Sequence, residues 1–215
     1  MRKKERTILI VEALKKEYPD ALCSLDYQHP YELLIATRLS AQCTDARVNI
    51  VTKILFMTYN TLQSLADAPL ESIEGIIKPC GLYKTKARDI KMIARDLLER
   101  FDGTVPDTIE ELLSLRGVGR KTANLVLGDI YHKPAIVCDT HCIRITNRMG
   151  LTTTTDPLRC EKELVKLLPP NESNDFCHRM VLHGRAVCKA RSPLCSLCCV
   201  NSLCSYGIHL AKTLG

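Results

Sequence analysis

Apolar residues recur at three- and four-residue spacing along most of this chain, the signature of amphipathic helices. Ile8, Val11 and Leu14 mark a first helix behind a charged start, Met1-Arg2-Lys3-Lys4-Glu5-Arg6. Residues 31–39 form an apolar run that stops at Ser40-Ala41-Gln42, and Asp45 can cap a helix carrying Val48, Val51, Ile54 and Leu55. Residues 84–101 place Ile90, Ile93, Leu97, Leu98 and Phe101 at helical spacing. Asp107-Thr108-Ile109-Glu110 reads as a capping box before Ile109, Leu112 and Leu113, and residues 122–127 read as the next helix. Asp139 can open another helix. Asp156-Pro157 supplies an N-cap with proline at the first helical position, Pro169-Pro170 ends that helix, and residues 175–187 give one more. Ala135-Ile136-Val137-Cys138 is apolar enough for a strand. It is only four residues with no partner run, so it reads as an extended approach to the helix at Asp139. The pattern predicts an all-α fold. No repeat, low-complexity tract or linker is visible, and composition marks no domain boundary.

Between two of these helices lies Leu115-Arg116-Gly117-Val118-Gly119-Arg120-Lys121-Thr122. Two glycines one residue apart let the backbone turn sharply and approach another molecule closely. A tight turn leading into a helix presents amide N–H groups, and the helix dipole adds to their attraction for an anion. Gly117, Val118, Gly119 and Arg120 are therefore candidate phosphate contacts. Lys121 falls in the first helical turn, where a cation is disfavoured. Two uses fit such a lysine: a contact to phosphate, or a nucleophile whose amine loses its proton easily because Arg120 and the helix end are both positive. Asp139 caps a helix by its position, and a carboxylate there can also stabilise a developing cation or move a proton.

Charge shifts the picture only slightly. Lys and Arg number 30 against 24 Asp and Glu, a net charge of +6, which permits a polyanionic partner without requiring one. No apolar run approaches the ~18 residues of a membrane span, and the start has no signal-peptide core, so a cytosolic protein is expected. The 12 cysteines change more, because a reducing compartment does not sustain a disulfide framework and metal binding becomes the first question. Cys188, Cys195, Cys198 and Cys204 are spaced C-x6-C-x2-C-x5-C. All-cysteine ligation suits zinc and an iron–sulfur cluster equally, and the spacing does not choose. Lys189 and Arg191 lie inside this segment with Arg185 just before it. They read either as a basic knob for a nucleic-acid backbone or as a solvated loop.

Together these residues resemble endonuclease III, the bifunctional DNA glycosylase/AP lyase family of the helix-hairpin-helix superfamily. The resemblance rests on the hairpin through Ala123-Asn124, on Val137-Cys138-Asp139-Thr140-His141 and on the four cysteines. It extends to residues 31–36, Leu39-Ser40-Ala41-Gln42, Gly81-Leu82-Tyr83 and Lys86-Ala87, and so covers nearly the whole chain. It implies two helical domains with a cleft between them: a six-helix bundle over 22–133 with the helix-hairpin-helix at 107–131, and a second domain from 1–21 plus 134–215 with a cluster loop at 188–204. It implies a [4Fe–4S] cluster on Cys188, Cys195, Cys198 and Cys204, with Lys121 the Schiff-base nucleophile and Asp139 the essential carboxylate. Gln42 and Leu82 match residues that fill the gap left by a flipped nucleotide. His141 is a candidate nucleotide contact or a helix-start histidine satisfied by backbone.

The partner so implied is double-stranded DNA carrying oxidised pyrimidines or abasic sites, bound by a monomer in the cytoplasm, on the nucleoid if the source is prokaryotic. Two alternatives remain: a monofunctional mismatch glycosylase of the same superfamily, which lacks the lysine at this position, and a non-enzymatic, metal-stapled DNA-binding module. Cys43, Cys80, Cys138 and Cys142 depart from the family pattern and read as small buried hydrophobes. A second metal site from Cys138, Asp139, His141 and Cys142 would occupy the catalytic carboxylate.

Overall fold

The computed structural model describes residues 1–214, and twelve α-helices with no strand make up their regular structure. Helix α1 spans Lys3–Glu17. It is followed by α2 (Pro30–Leu39), α3 (Asp45–Thr58), α4 (Leu62–Asp67), α5 (Leu70–Ile77), α6 (Tyr83–Arg100), α7 (Ile109–Ser114) and α8 (Arg120–Asp129). The chain continues through α9 (Thr140–Arg148), α10 (Pro157–Val165), α11 (Ser173–Ala186) and α12 (Ser205–Leu214), with short 3-10 turns between. It divides into two compact units, Cys23–Tyr131 and Met1–Leu22 with His132–Gly215.

The first unit is built around α6, which packs on α2, α4 and α5, while α2 also packs on α3 and α8. Ile90, Ile93, Ala94 and Leu97 of α6 are buried against Leu33, Leu34 and Leu39 of α2 and their neighbours. Two buried charges interrupt that apolar stripe. Lys86 and Asp89, one turn apart on α6, are 0 % and 4 % exposed. Each has charged or polar partners, as a buried charge without one is costly.

In the second unit α11 packs on α9 and α1, with Ile10, Leu14, Ile145, Phe176 and Met180 fully or almost fully buried. Gly184 makes the α9–α11 approach possible: a Cβ there would stand 2.3 Å from His141 Nδ1. Residues 135–138 are extended and buried, with no strand partner among the described residues, as the sequence predicts.

Several local expectations shift. The box expected at Asp107 and Glu110 sits one residue later: Thr108 is the N-cap, its Oγ1 accepting from Glu111 N at 3.3 Å and donating to Glu111 Oε2 at 2.6 Å. Both pairs satisfy the same spacing, and Thr108 has the extended backbone an N-cap needs. Helix α11 starts at Ser173, not at Asp175, because a 3-10 turn at Pro170–Glu172 leads directly into it. Ile8, Ile54 and Leu113 are exposed at 43 %, 51 % and 40 %. In each case a neighbouring position faces the core instead, Ile10, Leu55 and Leu112. Helices α4, α5 and α12 have no counterpart in the periodicity reading.

Candidate active site

Helix α7, the turn and α8 form the expected helix-hairpin-helix. Val118 N donates to Leu115 O at 3.2 Å to close the turn, and Gly117 adopts a φ of +74°. The turn is seated on a buried carboxylate. Arg38 Nε and Nη2 both donate to Asp89 Oδ2, at 2.9 and 2.6 Å, and Arg116 Nε donates to Asp89 Oδ1 at 3.0 Å. A Cβ on Gly117 would lie 2.8 Å from Arg38 Nε and from Asp89 Oδ2, so glycine is needed both for backbone angle and for space.

Helix α8 starts at Arg120 with Gly119 as N-cap and no side-chain cap, unlike α7, α9 and α10, whose N-cap side chains accept a backbone amide. Gly119 itself thus offers no side chain to compete for the first-turn amides. Gly117, Gly119, Arg120 and Lys121 are exposed, whereas Val118 is buried and anchors the turn. Lys121 is the second residue of α8, on the solvent side of a helix whose next seven residues are buried.

Gln42 and Leu82 share an unusual backbone. Both are non-glycine residues in the left-handed region, φ +56° and +48°, and both side chains are exposed, Leu82 at 57 %. Such a conformation costs roughly 1–2 kcal/mol per residue. Something must hold it. Lys86 Nζ donates to three carbonyls: Leu39 O at 2.8 Å, Ala41 O at 2.7 Å and Cys80 O at 2.8 Å. Burial, and then the neighbouring Cys43 thiol, push the Cys80 thiol up to about 11. Burial pulls the Lys86 ammonium below its ordinary pKa. Three carbonyls nevertheless require the three N–H donors that only the protonated form carries.

In the other unit, Asp139 is the N-cap of α9, its Oδ1 accepting from Cys142 N at 2.7 Å. It is half-buried, and its second oxygen is not used by that cap. His141 Nδ1 lies 3.2 Å from Arg144 Nη2, so a side chain and not backbone accounts for this ring nitrogen. Below the cap, Cys138, Cys142, Cys160 and Cys177 are buried together. The three neighbouring thiols, together with burial, raise the Cys142 pKa well above that of a free thiol. Cys80, Cys138 and Cys142 are thus buried small side chains as expected, while Cys43 is only half-buried. Among the described residues no three His, Cys, Asp or Glu side chains converge to hold a single metal ion, at Cys138, Asp139, His141 and Cys142 or elsewhere.

The far end of α9 carries the cysteine loop. Arg148 Nη1 donates to Cys188 Sγ at 3.4 Å and to Lys189 O at 2.6 Å, and its Nη2 to Ala190 O at 2.8 Å. Arg144 Nη2 donates to Cys188 O at 3.0 Å, and Cys204 Sγ donates to Arg148 O at 3.3 Å. Cys188, Cys195, Cys198 and Cys204 line one small cavity, walled by Ile145, Met149, Val187 and Val200. His183 also borders it, with Nε2 3.5 Å from Cys198 Sγ and Nδ1 3.1 Å from the Tyr18 hydroxyl. Burial holds His183 below the usual histidine pKa. Lys189 and Arg191 are exposed on this loop. Four thiols around an apolar-walled space, rather than around a point, suit a multi-atom group better than a single zinc ion.

The periodicity reading does not find Lys86, Asp89, Arg38 or Arg148. One signal was available. Lys86 lies on the stripe that continues through Ile90, Ile93 and Leu97, with Asp89 beside it, so a charge occupies a predicted core position.

The pattern that defines the HhH-GPD superfamily of base excision DNA repair proteins matches residues 35–170. Endonuclease III of Synechocystis sp. is 49 % identical over 203 residues, covering 94 % of this chain and 93 % of that protein. Two solved structures superpose on nearly all of the chain at 43 % identity. A non-covalent endonuclease III–DNA complex has a TM-score of 0.91 and covers 99 % of this chain and 100 % of that one. A trapped endonuclease III–DNA covalent intermediate has a TM-score of 0.90 and covers 98 % and 100 %. The chain therefore belongs to the HhH-GPD superfamily and, within it, to the endonuclease III family of base excision repair enzymes, bifunctional DNA glycosylases and AP lyases.

Proposed function

We propose that Lys121 is the Schiff-base nucleophile of this enzyme, Asp139 its carboxylate, and duplex DNA with oxidised pyrimidines or abasic sites its substrate. The observation that carries this reading is the position of Lys121: an exposed amine on the second residue of a helix with no side-chain cap, at the end of a seated hairpin. The open first-turn amides suit a backbone phosphate, which would bring a sugar within reach of the amine.

The chemistry at C1′ requires the nucleotide to leave the stack, at a cost of a few kcal/mol. Gln42 and Leu82 take up the space it vacates. Lys121 Nζ attacks C1′ and the C1′–N bond breaks, the base leaving with that electron pair and a proton. The C1′–O4′ bond then opens, O4′ taking up a proton while the Nζ lone pair forms the C1′=N bond, and the resulting iminium acidifies C2′–H. Loss of that proton and departure of the 3′ oxygen cut the strand by β-elimination. Asp139 has one oxygen committed to the helix cap, which fixes its orientation, and the other is available to stabilise the cationic sugar or carry a proton. His141 is placed near this carboxylate by the same helix start and is assigned to nucleotide contact. Lys189 and Arg191 hold the backbone electrostatically.

Cys188, Cys195, Cys198 and Cys204 would hold a [4Fe–4S] cluster, and the thiol-lined, apolar-walled cavity supports that assignment over zinc. When bound, the cluster cross-links the loop that carries Lys189 and Arg191. The protein acts as a monomer in the cytoplasm, on nucleoid DNA. Borohydride trapping tests the central claim: wild type should form a covalent adduct with abasic-site duplex and Lys121→Ala should form none. A wild-type protein that does not trap overturns the lyase mechanism.

A further inference from the structure

The two left-handed turns that carry Gln42 and Leu82 are 40 residues apart in sequence, yet one ammonium holds both. Lys86 Nζ bonds the carbonyl of Ala41, directly before Gln42, and the carbonyl of Cys80, two residues before Leu82. Its third bond, to Leu39 O, secures the end of α2. Local bonds close each turn: Cys43 N donates to Ser40 O at 3.0 Å and Lys86 N to Leu82 O at 3.0 Å. Cys43 and Cys80, neighbours on the flanks of the same two turns, are not bonded to Lys86 through their side chains, so the ammonium carries the link. No part of the Schiff-base chemistry calls for a lysine here, and a fully buried lysine is uncommon without a role.

We propose that Lys86 is a positioning residue that fixes the Gln42 and Leu82 turns in one register, so that the two exposed side chains enter a damaged duplex as a single rigid unit. The inference rests on the assignment of Gln42 and Leu82 to the vacated space. Its physical basis is preorganisation. Each turn sits in a conformation its residue disfavours, and an apolar or shorter side chain at position 86 leaves three carbonyls without their donors. The turns then relax independently, and part of the binding energy goes to re-forming them.

The test separates positioning from chemistry by substrate. Lys86→Met matches the length of lysine and removes the donors. It should lower the trapping rate on abasic-site duplex roughly ten- to a hundredfold, the scale of an ångström-level misplacement. On single-stranded abasic DNA, which offers no stack to support, the same variant should stay within about threefold of wild type. In a Gln42→Ala/Leu82→Ala background, Lys86→Met should cause no further loss on duplex, since nothing remains to position. Equal losses on both substrates, no loss on duplex, or full additivity in that background would each overturn the proposal. Lys86→Gln keeps two N–H donors and decides the question if Lys86→Met does not fold. If neither variant folds, Lys86 serves only the bundle and the proposal fails. A wild-type protein that traps neither substrate would instead refute the nucleophile assignment.

Discussion

The hairpin of the first unit and the cysteine loop of the second are held in place by opposite means. The hairpin is complete with protein atoms: a buried Asp89, two arginines and a close-fitting Gly117 fix it from below. The cysteine loop is tied at its two ends, and at the far one Arg6 Nη1 donates to Leu203 O at 2.7 Å and Cys204 Sγ to Arg148 O at 3.3 Å. Between Cys188 and Cys204 its regular structure amounts to two 3-10 turns, and its thiols face a cavity. Arginine side chains on α9 grip its first residues, at Cys188, Lys189 and Ala190. A surface that must present cations to DNA can therefore be stiffened by internal ion pairs or by a bound group. The second route leaves the protein dependent on that group.

The comparison can be broken most decisively at the loop. Cys204→Ala should abolish the visible absorption of the cluster and open residues 188–204 to protease, with a loss of about 4 kcal/mol or more. Unchanged absorption would show that the loop needs no four-thiol group. At the hairpin, Asp89→Ala leaves Arg38 largely buried without its counter-charge and should cost about 3 kcal/mol in urea unfolding. Arg116→Ala, more than half exposed, should cost less than about 1 kcal/mol. Gly117→Ala should follow at about 2 kcal/mol, since it combines a φ of +74° with two short contacts, and DNA affinity should fall with it. Thr108→Ala should remove about 1 kcal/mol while Glu110→Ala changes little, and the reverse order would restore the cap to Asp107 and Glu110. The smallest effect belongs to Arg191→Ala: binding should weaken alike on all DNA sequences, with a salt slope shallower by about one ion.

What the sequence made legible follows a physical line. Glycine spacing, cysteine spacing and helix caps are local, and the hairpin, the loop and the α9 start were readable from them. The clamp on Asp89 and the clasp of Lys86 were not, because all of their partners except Cys80 lie 27 to 51 residues away. A lysine and an aspartate in a helix ordinarily face solvent, and only their place on an apolar stripe hinted otherwise. Helices α4 and α5 are short, at 6 and 8 residues, too few for a period to declare itself. The division into two units left no trace in composition, since the first unit is an insertion in the second and no flexible tract marks either crossing.

Helix α6 sets a strict rule on length. Leu82 precedes its first turn, Lys86 reaches the two turns and Asp89 reaches the hairpin, all from one rigid rod. Each residue added to an α-helix rotates everything beyond it by about 100°. A single insertion or deletion between positions 82 and 89 would therefore swing the hairpin anchor out of phase with the turns, though every residue type survived. Between these three positions the count matters as much as the residue types.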